Sequence, residues 1–376
     1  MRKSFKYRLY PNRNQAQALA KMLETHRRLY NDALAQRKRA WEEAKQSVSY
    51  FDQSASLKGW RETNPFFAAT NFSSCQMTLR RLDRSFQAFF RRAKAGEAAG
   101  YPRFRGVNRF DTVDFQTHGD GCRLKENKLY FQHVGDVKVK LHRPVEGKIK
   151  TVSFKREAGL WYAIFSCDLG EIEVAPSTNP PVGIDLGLKS FLVTSEGASV
   201  APPKFYRQAE AALRRAQRRV SRRAKGSRGR REAVRIVARL QQQVANQRRD
   251  FHHKTALALV RDHGTIAVED LNVKGIAQTR LAKSVHDVGW SAFLSILEHK
   301  AECAGVRVIR VPPRNTTQAC SECGALPDVP KTLSDRVHSC PRCGYQADRD
   351  LNAARNILRL GLSRQAPTQR VAAHVA

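Results

Sequence analysis

The sequence contains no apolar run approaching the roughly 18 residues that a membrane-spanning helix needs, so it predicts no transmembrane segment. Basic residues begin the chain without an apolar segment behind them, so we expect no signal peptide and a cytoplasmic location. Eight cysteines in a chain of 376 residues, without a secretion signal, do not indicate a disulfide framework. Internal repeats are also absent. These absences argue against secreted, membrane-spanning and repeat proteins.

Acidic residues are scarce relative to basic ones. The chain has 34 Asp and Glu against 67 Lys and Arg, which gives a net charge of +33. Because 41% of the residues are hydrophobic, the charge belongs to a folded protein of two or three domains, not to a disordered basic tail. Such a charge predicts a polyanionic partner, either nucleic acid or an anionic membrane surface. The basic segments lack a broad apolar face, which favours nucleic acid.

The charge is concentrated in residues 201–250, which contain 16 basic and three acidic residues. Pairs of arginines recur there every four residues: Arg214, Arg215, Arg218, Arg219, Arg222 and Arg223. On a helix such pairs share one face and repel each other, and a phosphate backbone would relieve that repulsion. A solvated helix face is the alternative, but such faces usually mix charges of both signs. We therefore favour nucleic-acid binding by this stripe.

Hydrophobic periodicity separates two halves joined by a linker at 176–181. In the front half, a strand at 5–10 and strands at 137–141, 151–154 and 161–165 suggest a small antiparallel barrel. Helices are predicted near 19–34 and 72–95, the second with Phe90 facing inward, and 48–70 reads as a connector. The rear half predicts a mixed α/β domain. Its strands are expected at 182–187, 190–195, 198–201, 265–269 and 306–311, and its helices at 205–262 (split at 226–229), 288–304 and 350–361.

Four clustered cysteines have the spacing of a zinc site. Cys320 and Cys323 form one Cys-x-x-Cys pair, and after sixteen residues Cys340 and Cys343 form another. Each pair can present two thiolates on one side of a tight turn, and two pairs close a tetrahedral site. A redox pair or coincidence is the alternative, which the matched double spacing disfavours. Because protein ligands fill all four positions, the Zn²⁺ is expected to be structural.

Three acidic residues lie at the boundaries of predicted elements: two near the ends of buried strands and one at the start of a helix. Asp185 lies within Ile184-Asp185-Leu186, Glu269 ends Ile266-Ala267-Val268-Glu269, and Asp350 starts a helix. Each alone could hydrogen-bond a turn or favour a helix N-terminus. Together, carboxylates converging at strand ends are the ligands that Mg²⁺ or Mn²⁺ requires. Such ions activate water and stabilise the leaving oxygen in phosphodiester cleavage.

These motifs resemble the RuvC-type nuclease domain of transposon-encoded TnpB proteins, which are RNA-guided DNA endonucleases related to type V CRISPR effectors. The resemblance rests on Gly183-Ile184-Asp185-Leu186-Gly187, Val268-Glu269-Asp270-Leu271 and Asp348-Arg349-Asp350-x-Asn352-Ala353-Ala354-x-Asn356-Ile357. It extends to Thr316-Thr317-Gln318-x-Cys320, to Asp287-x-Gly289-Trp290 and, at the front, to Arg8-Leu9-Tyr10-Pro11. It therefore covers nearly the whole chain, and residues 35–70 are the least recognisable part.

The resemblance implies a fold, a site and partners. It implies Asp185, Glu269 and Asp350 as the catalytic residues that bind Mg²⁺ or Mn²⁺, with Asp348 as a further candidate close by. It implies a multi-domain protein in which a helical recognition lobe interrupts an oligonucleotide-binding, WED-like β-barrel. A RuvC-like, ribonuclease-H-like nuclease domain with an inserted zinc ribbon then follows. The corresponding ranges are 1–10 and 105–176 for the barrel, 11–104 for the lobe, 182–362 for the nuclease, 318–345 for the ribbon and 363–376 for a flexible tail.

The implied activity is RNA-guided cleavage of double-stranded DNA beside a short flanking motif. The implied partners are a guide RNA and target DNA, in the cytoplasm and associated with the nucleoid of a prokaryote. Two alternatives stay open at this point. One is a nuclease-inactive, RNA-guided repressor, although all three acids are present. The other is a transposase or nuclease that works without a guide.

Overall fold

The computed structural model describes residues 1–171, 174–332 and 334–364, and these form two compact units that divide between residues 172 and 173. Unit 1 holds the helices α1 (Arg13–Ala44), α2 (Tyr50–Thr63), α3 (Pro65–Ala68) and α4 (Phe72–Lys94). Its strands are β1 (Arg2–Tyr10), β2 (Thr112–Phe115), β3 (Cys122–Lys125), β4 (Lys128–Phe131), β5 (Gly135–Lys140), β6 (Lys148–Glu157) and β7 (Leu160–Asp168).

The seven strands of unit 1 form one antiparallel sheet in the order β2-β6-β7-β1-β5-β4-β3. β1 lies in its middle because Phe5, Tyr7 and Leu9 alternate into the core while both edges pair with neighbours. The rings of Phe115 and Phe131 lie 5.6 Å apart although four strands separate β2 from β4 in the sheet. The sheet therefore curls strongly around its core. The predicted strands at 5–10, 137–141, 151–154 and 161–165 are confirmed.

The expected connector at 48–70 is wrong, because α2 and α3 occupy most of it. Ser49 and Asp52 form a reciprocal capping box that begins α2, and Leu57 anchors the helix in the core. Asn64 caps α3, with Pro65 at its first position. Because the segment is polar, hydrophobic periodicity does not predict its helices, and only the capping residues indicate where they begin. Phe90 of α4 is also not inward, since 59% of it is exposed.

Unit 2 is a mixed α/β fold built on the sheet order β10-β9-β8-β11-β12. Its strands are β8 (Pro181–Leu186), β9 (Leu192–Thr194), β10 (Ser199–Val200), β11 (Thr265–Glu269) and β12 (Arg307–Val311), with a hairpin of β13 (Val337–Ser339) and β14 (Gln346–Asp348). Its helices are α5 (Phe205–Ser221), α6 (Arg228–Asp262), α7 (Val273–Ile276), α8 (Ala282–Val288), α9 (Trp290–Cys303) and α10 (Arg349–Ser363). The strands and helices predicted for this half are confirmed, including the helical hairpin broken near Gly226.

The two faces of the central strands carry different residues. On one face Val182, Ile184, Ile266 and Val268 pack into the core with residues of α6 and α9. Side chains alternate along a strand, so Asp185 and Glu269 belong to the opposite face. That opposite face is the one that α10 covers. The fold thus places two of the three candidate acids between the sheet and α10.

The sequence also predicted that the chain has no transmembrane helix and ends in a flexible tail. Within the described ranges, no helix has both the length and the apolar character required to cross a bilayer. Ser363 still belongs to α10, and the rest of the tail predicted at 363–376 lies, beyond Arg364, outside the described residues.

Candidate active site and metal centre

Asp185 and Glu269 stand side by side at the ends of two parallel strands. Ile184 of β8 pairs with Val268 of β11, so the next residue of each strand is Asp185 and Glu269, respectively. Neighbouring strands lie about 4.8 Å apart, and equivalent positions place their side chains on the same face. The convergence of these two acids, expected from the strand pattern, therefore follows from the strand register.

Helix α10 packs very closely on the face that carries these two acids. A Cβ atom on Gly183 would lie 2.2 Å from the carbonyl oxygen of Ala354. One on Gly361 would likewise meet the Cβ of Ala267 at 2.5 Å. Only glycine allows this approach at either position. Asp350 precedes Ala354 by one turn of the same helix, so these glycines set how near α10 brings Asp350 to β8.

Burial and mutual repulsion govern the charge of the acidic centre, by which we mean Asp185, Glu269 and Asp350. Burial is the main cause that raises the pKa of Asp185 to about 7; the charges of Glu269 and Asp350 contribute to this rise, and the charge of Arg349 opposes it. Burial also raises the pKa of Glu269, which is 6% exposed, while a hydrogen bond from Thr316 opposes that rise. Buried carboxylates without enough compensating positive charge are costly, and a hard divalent cation would stabilise them.

The carboxylate oxygens of the acidic centre do not lie as close together as the ligands of a bound ion would. Within the ranges that the structure describes, the only group of three or more candidate ligands whose atoms all lie within 4.8 Å of one another is the cysteine group. Three carboxylates repel each other, so this looser arrangement is the expected one for acids of like charge. The donor chemistry of the centre nevertheless fits Mg²⁺ or Mn²⁺, since all three residues offer carboxylate oxygens.

The acids adjacent to the candidate residues have other tasks. Asp348 caps α10, because its Oδ1 accepts hydrogen bonds from the backbone N–H groups of Asp350 at 2.8 Å and Leu351 at 3.4 Å. Asp270, next to Glu269, is instead paired with Arg310 at 3.0 Å on the surface. The role of Asp348, open from the sequence, is therefore that of an N-cap.

The four cysteines Cys320, Cys323, Cys340 and Cys343 form a compact group. The Sγ atoms of Cys320 and Cys343 lie 3.7 Å apart, and those of Cys323 and Cys340 lie 3.5 Å apart. Four thiolates around a tetrahedral Zn²⁺, with Zn–S near 2.3 Å, would be separated by about 3.8 Å. The donor set and its separations therefore fit a structural zinc ion.

Two equivalent backbone turns hold these cysteines. The N–H of Gly324 donates to Cys320 O and that of Gly344 donates to Cys340 O, both at 2.9 Å. Both glycines adopt positive φ, near +75° and +72°, a conformation that L-residues rarely adopt. Each Cys-x-x-Cys-Gly segment thus folds into the same turn and presents its two thiols on one side.

The arginine stripe lies along α5 and just after it. Arg214, Arg215, Arg218 and Arg219 belong to α5, while Arg222 and Arg223 follow it, and all six are exposed. Leu213 and Ala216 form the opposite, buried face of this helix. Arg214 pairs with Glu210 at 3.4 Å. The other five arginines line one concave surface, so the helix presents a basic hollow to solvent.

Three buried polar residues lie beside the acidic centre, and the sequence motifs that contain them did not assign them a role. Thr316 contacts Glu269, and the side chains of Asn352 and Asn356 bind the backbone around Thr316. Both asparagines are essentially fully buried. The available signal was their spacing of four on the apolar face of α10, since buried amides require hydrogen-bond partners.

Three family models match this chain. Residues 164–280 match OrfB_IS605, described as "Probable transposase", and residues 290–357 match "Cas12f1-like, TNB domain". Residues 1–46 match the OrfB_IS605 "Helix-turn-helix domain". In this structure that last segment consists of β1 and the whole of the single long helix α1.

Two relatives match nearly end to end, and both are named "Putative RNA-guided DNA endonuclease". The protein from Streptomyces pristinaespiralis is 34% identical over 97% of this chain and 91% of its own length. The second, InsQ of Escherichia coli (strain K12), is 28% identical over 95% of this chain and 92% of its own. Among solved structures, the mini-RNA-guided endonuclease CRISPR-Cas_phi3 covers 96% of this chain with a TM-score of 0.51 at 10% identity. The match spans 92% of the chain in that structure, and at this sequence identity it shows a likeness of fold alone.

Proposed function

The chain belongs to the TnpB family of transposon-encoded, RNA-guided DNA endonucleases, and we propose that it cleaves DNA selected by a bound guide RNA. The observation that carries this proposal is the end-to-end match, at 34% identity, to the Streptomyces relative named "Putative RNA-guided DNA endonuclease". The pair of buried acids at the ends of β8 and β11 supports it, because such a pair suits phosphodiester cleavage.

We propose Asp185, Glu269 and Asp350 as the catalytic residues that hold Mg²⁺ or Mn²⁺. A bound divalent cation would supply an activated water and neutralise charge on the phosphate. The chain's own part is to present carboxylate oxygens from two strands and one helix and to keep the centre largely buried. In the reaction, the oxygen of water gives up a proton and bonds to phosphorus, the bond to the leaving oxygen breaks, and the leaving oxygen takes up a proton.

We further propose the finer architecture that the family implies. Residues 182–362 would form a RuvC-like nuclease domain with a zinc ribbon at 318–345. Residues 1–10 and 105–176 would form a WED-like barrel around a recognition lobe at 11–104. The mixed sheet of unit 2, its cysteine group and the curled antiparallel sheet of unit 1 support this assignment. We propose that the protein works on DNA in the cytoplasm of a prokaryote.

The arginine stripe is the proposed contact with nucleic acid, either the guide RNA or the target DNA. Each phosphate contact contributes about −0.9 to the slope of log affinity against log salt for duplex DNA. Replacing Arg215, Arg218, Arg219 and Arg222 by Gln should therefore flatten that slope by up to about three to four. Arg228→Gln, which removes a charge already paired with Glu232, is the matched control and should change the slope by less than one.

Cleavage by acidic-centre variants tests the proposed activity. With Mg²⁺ and bound RNA, Asp185→Ala should lose cleavage by at least about a thousandfold, because several kcal/mol of transition-state stabilisation are removed. Binding of RNA and target DNA should stay at the wild-type level. Cleavage that survives in Asp185→Ala would contradict the assignment of the acids. A wild type that binds guided DNA without cutting it would instead indicate a repressor.

A further inference from the structure

One buried side chain connects the acidic centre to the segment that leads into the zinc ribbon. Thr316 is 2% exposed and lies between the end of β12 and Cys320. Its hydroxyl donates a hydrogen bond to Oε1 of Glu269. The same hydroxyl lies 3.1 Å from the carbonyl oxygen of Pro313, and its single proton serves one acceptor at a time. A carboxylate is the stronger acceptor, so the bond to Glu269 is favoured.

Helix α10 fixes the backbone of this segment. The side-chain amide of Asn356 donates to the carbonyl oxygens of Thr316 at 3.0 Å and Ala319 at 2.8 Å. Asn352, one turn earlier, donates to Ala319 O at 2.8 Å and accepts from the N–H of Ser321 at 2.9 Å. Asp350 begins this same helix. One helix thus carries one candidate acid and fixes the threonine that touches another.

The ribbon fixes the segment from its other side. The Nζ of Lys331 donates to the carbonyl oxygens of Thr317 at 3.1 Å and Gln318 at 3.0 Å. Gln318 and the backbone of Lys331 exchange two further hydrogen bonds, at 2.8 and 3.0 Å. Lys331 lies in the loop between the two cysteine pairs, and Cys320 follows the segment directly. Lys331 thus holds residues 317 and 318 from the ribbon side, and Cys320 joins the same segment directly to the first cysteine turn.

We propose that Thr316 is a positioning residue that orients the Glu269 carboxylate for the divalent cation, and that the folded zinc ribbon holds Thr316 in place. The zinc ion then acts on cleavage at a distance, through Thr316, without taking part in the reaction. The hydrogen bond to Oε1 would fix the orientation of the carboxylate plane, and the carboxylate would hold the cation with its remaining lone pairs. This inference rests on the proposed function only in assigning Glu269 to a catalytic metal site.

Mn²⁺ binding to the purified protein tests the inference without requiring cleavage. Thr316→Val keeps the shape of the side chain but removes the hydroxyl, and Thr316→Ser keeps the hydroxyl. Removal of a group that orients a metal ligand typically costs about 10- to 100-fold in metal affinity. We expect that loss in Thr316→Val, measured by electron paramagnetic resonance of free Mn²⁺, and near-wild-type affinity in Thr316→Ser. Asp185→Ala gives the baseline for Mn²⁺ bound elsewhere.

Thr317→Val is the matched control, since it makes the same change one residue further on and keeps the carbonyl that Lys331 contacts. It should bind Mn²⁺ as the wild type does. Zinc content, measured by elemental analysis, should be unchanged in all three threonine variants. Equal Mn²⁺ affinity in Thr316→Val and wild type would overturn the inference, and so would an equal loss in Thr316→Ser.

Removing zinc provides a second test that needs no substitution at Thr316. Wild-type protein stripped of zinc should lose about the same factor in Mn²⁺ affinity as Thr316→Val. Zinc removal from Thr316→Val should then add little, because both changes act through one contact. Fully additive losses would overturn the coupling. If the wild type binds Mn²⁺ at the acids but never cuts guided DNA, the proposed function fails while this inference stands.

Discussion

The group of four cysteines, which is the proposed zinc centre, and the acidic centre lie in the same unit but are assembled in opposite ways. Two short turns of one pattern bring four thiols within 4.8 Å of one another. The acids come from β8, β11 and α10, which are separated by long stretches of chain, and they do not form so tight a group. Local backbone geometry makes the zinc centre, whereas the whole α/β fold makes the acidic centre.

This difference teaches what each centre requires. Thiols can approach each other while protonated, and each turn needs only its cysteines and a glycine with positive φ. Three carboxylates repel one another, so the fold must bury them against their own charge and a cation must draw them together. We therefore expect a local change to destroy the zinc centre, whereas changes in helix packing should disturb the acidic centre.

The largest effect should follow loss of one zinc ligand. Cys340→Ser should abolish stoichiometric zinc binding, because a structural zinc site contributes about 10–16 kcal/mol of binding free energy. Hydrogen exchange should become fast over 318–345, while β8 and β11 keep their protection because the sheet core does not depend on the ribbon. Cys303→Ser, outside the group, should retain its zinc. Slow hydrogen exchange across 318–345 in Cys340→Ser would contradict the claim that a local change is enough to destroy the zinc centre.

The acidic centre should make the stability of the protein depend on pH. The pKa of Asp185 is raised from 3.8 to about 7 in the folded protein. Protonated Asp185 therefore contributes stability that is fully present below about pH 4 and is lost as the pH rises through 7. At about 1.4 kcal/mol per pKa unit, the loss is about 4 kcal/mol at most.

Denaturant unfolding of unit 2, in buffer with zinc but without Mg²⁺, measures this loss. Asp185→Asn should be less pH-dependent than the wild type between pH 4 and 8, and added Mg²⁺ should reduce the pH dependence of the wild type. Identical pH profiles for the two proteins would contradict the account of the centre.

A change in the packing of α10 should have a smaller effect on stability. The control substitution in α2 should change stability in the opposite direction. Gly183→Ala places a Cβ 2.2 Å from a backbone oxygen of α10, which overpacks the interface and should cost about 1–3 kcal/mol. Mg²⁺-dependent cleavage should fall as Asp350 shifts, while zinc content stays unchanged. Gly59→Ala, in the exposed part of α2 with nothing within 4 Å, should instead stabilise by about 0.5–1 kcal/mol. Normal cleavage in Gly183→Ala would show that the acids tolerate movement of α10.

The smallest effect should come from Asp348, which lies in the sequence between Cys343 and Asp350. Asp348→Ala removes the cap of α10 and should cost about 1 kcal/mol. Asp348→Asn retains a capping oxygen and should cost much less. Denaturant midpoints of the two variants distinguish capping from a role in metal binding. Loss of Mn²⁺ affinity in Asp348→Asn with normal stability would assign Asp348 to the metal site instead.

Periodicity was sufficient to predict most elements of unit 2, because its strands are continuous apolar runs and its helices are long. It failed at 48–70, where α2 depends on the caps Ser49 and Asp52 and on little apolar surface. It also placed Phe90 in the core, although α4 leaves that residue exposed near its C-terminal end. Short helices that depend on capping give a weak periodic signal.

The candidate sites show the same limit. Cysteine spacing predicts a compact group because the turns are local. The positions of Asp185 and Glu269 at the ends of apolar strands predicted that these acids converge, and the parallel register of β8 and β11 places them side by side. Thr316 could not be predicted, since its contact with Glu269 depends on how α10 and the cysteine turns hold residues 316–321. The functions of all these residues stay predictions until the variants are measured.

The central claim is that the acidic centre cuts DNA chosen by a bound RNA. The most direct test is to sequence the RNA that purifies with the protein and to supply Mg²⁺ with DNA that matches or does not match that RNA. We predict that the wild type cuts only the matching DNA, and that Asp185→Ala binds the same DNA without cutting it. Cleavage of matching and non-matching DNA alike by RNA-free protein would contradict the claim.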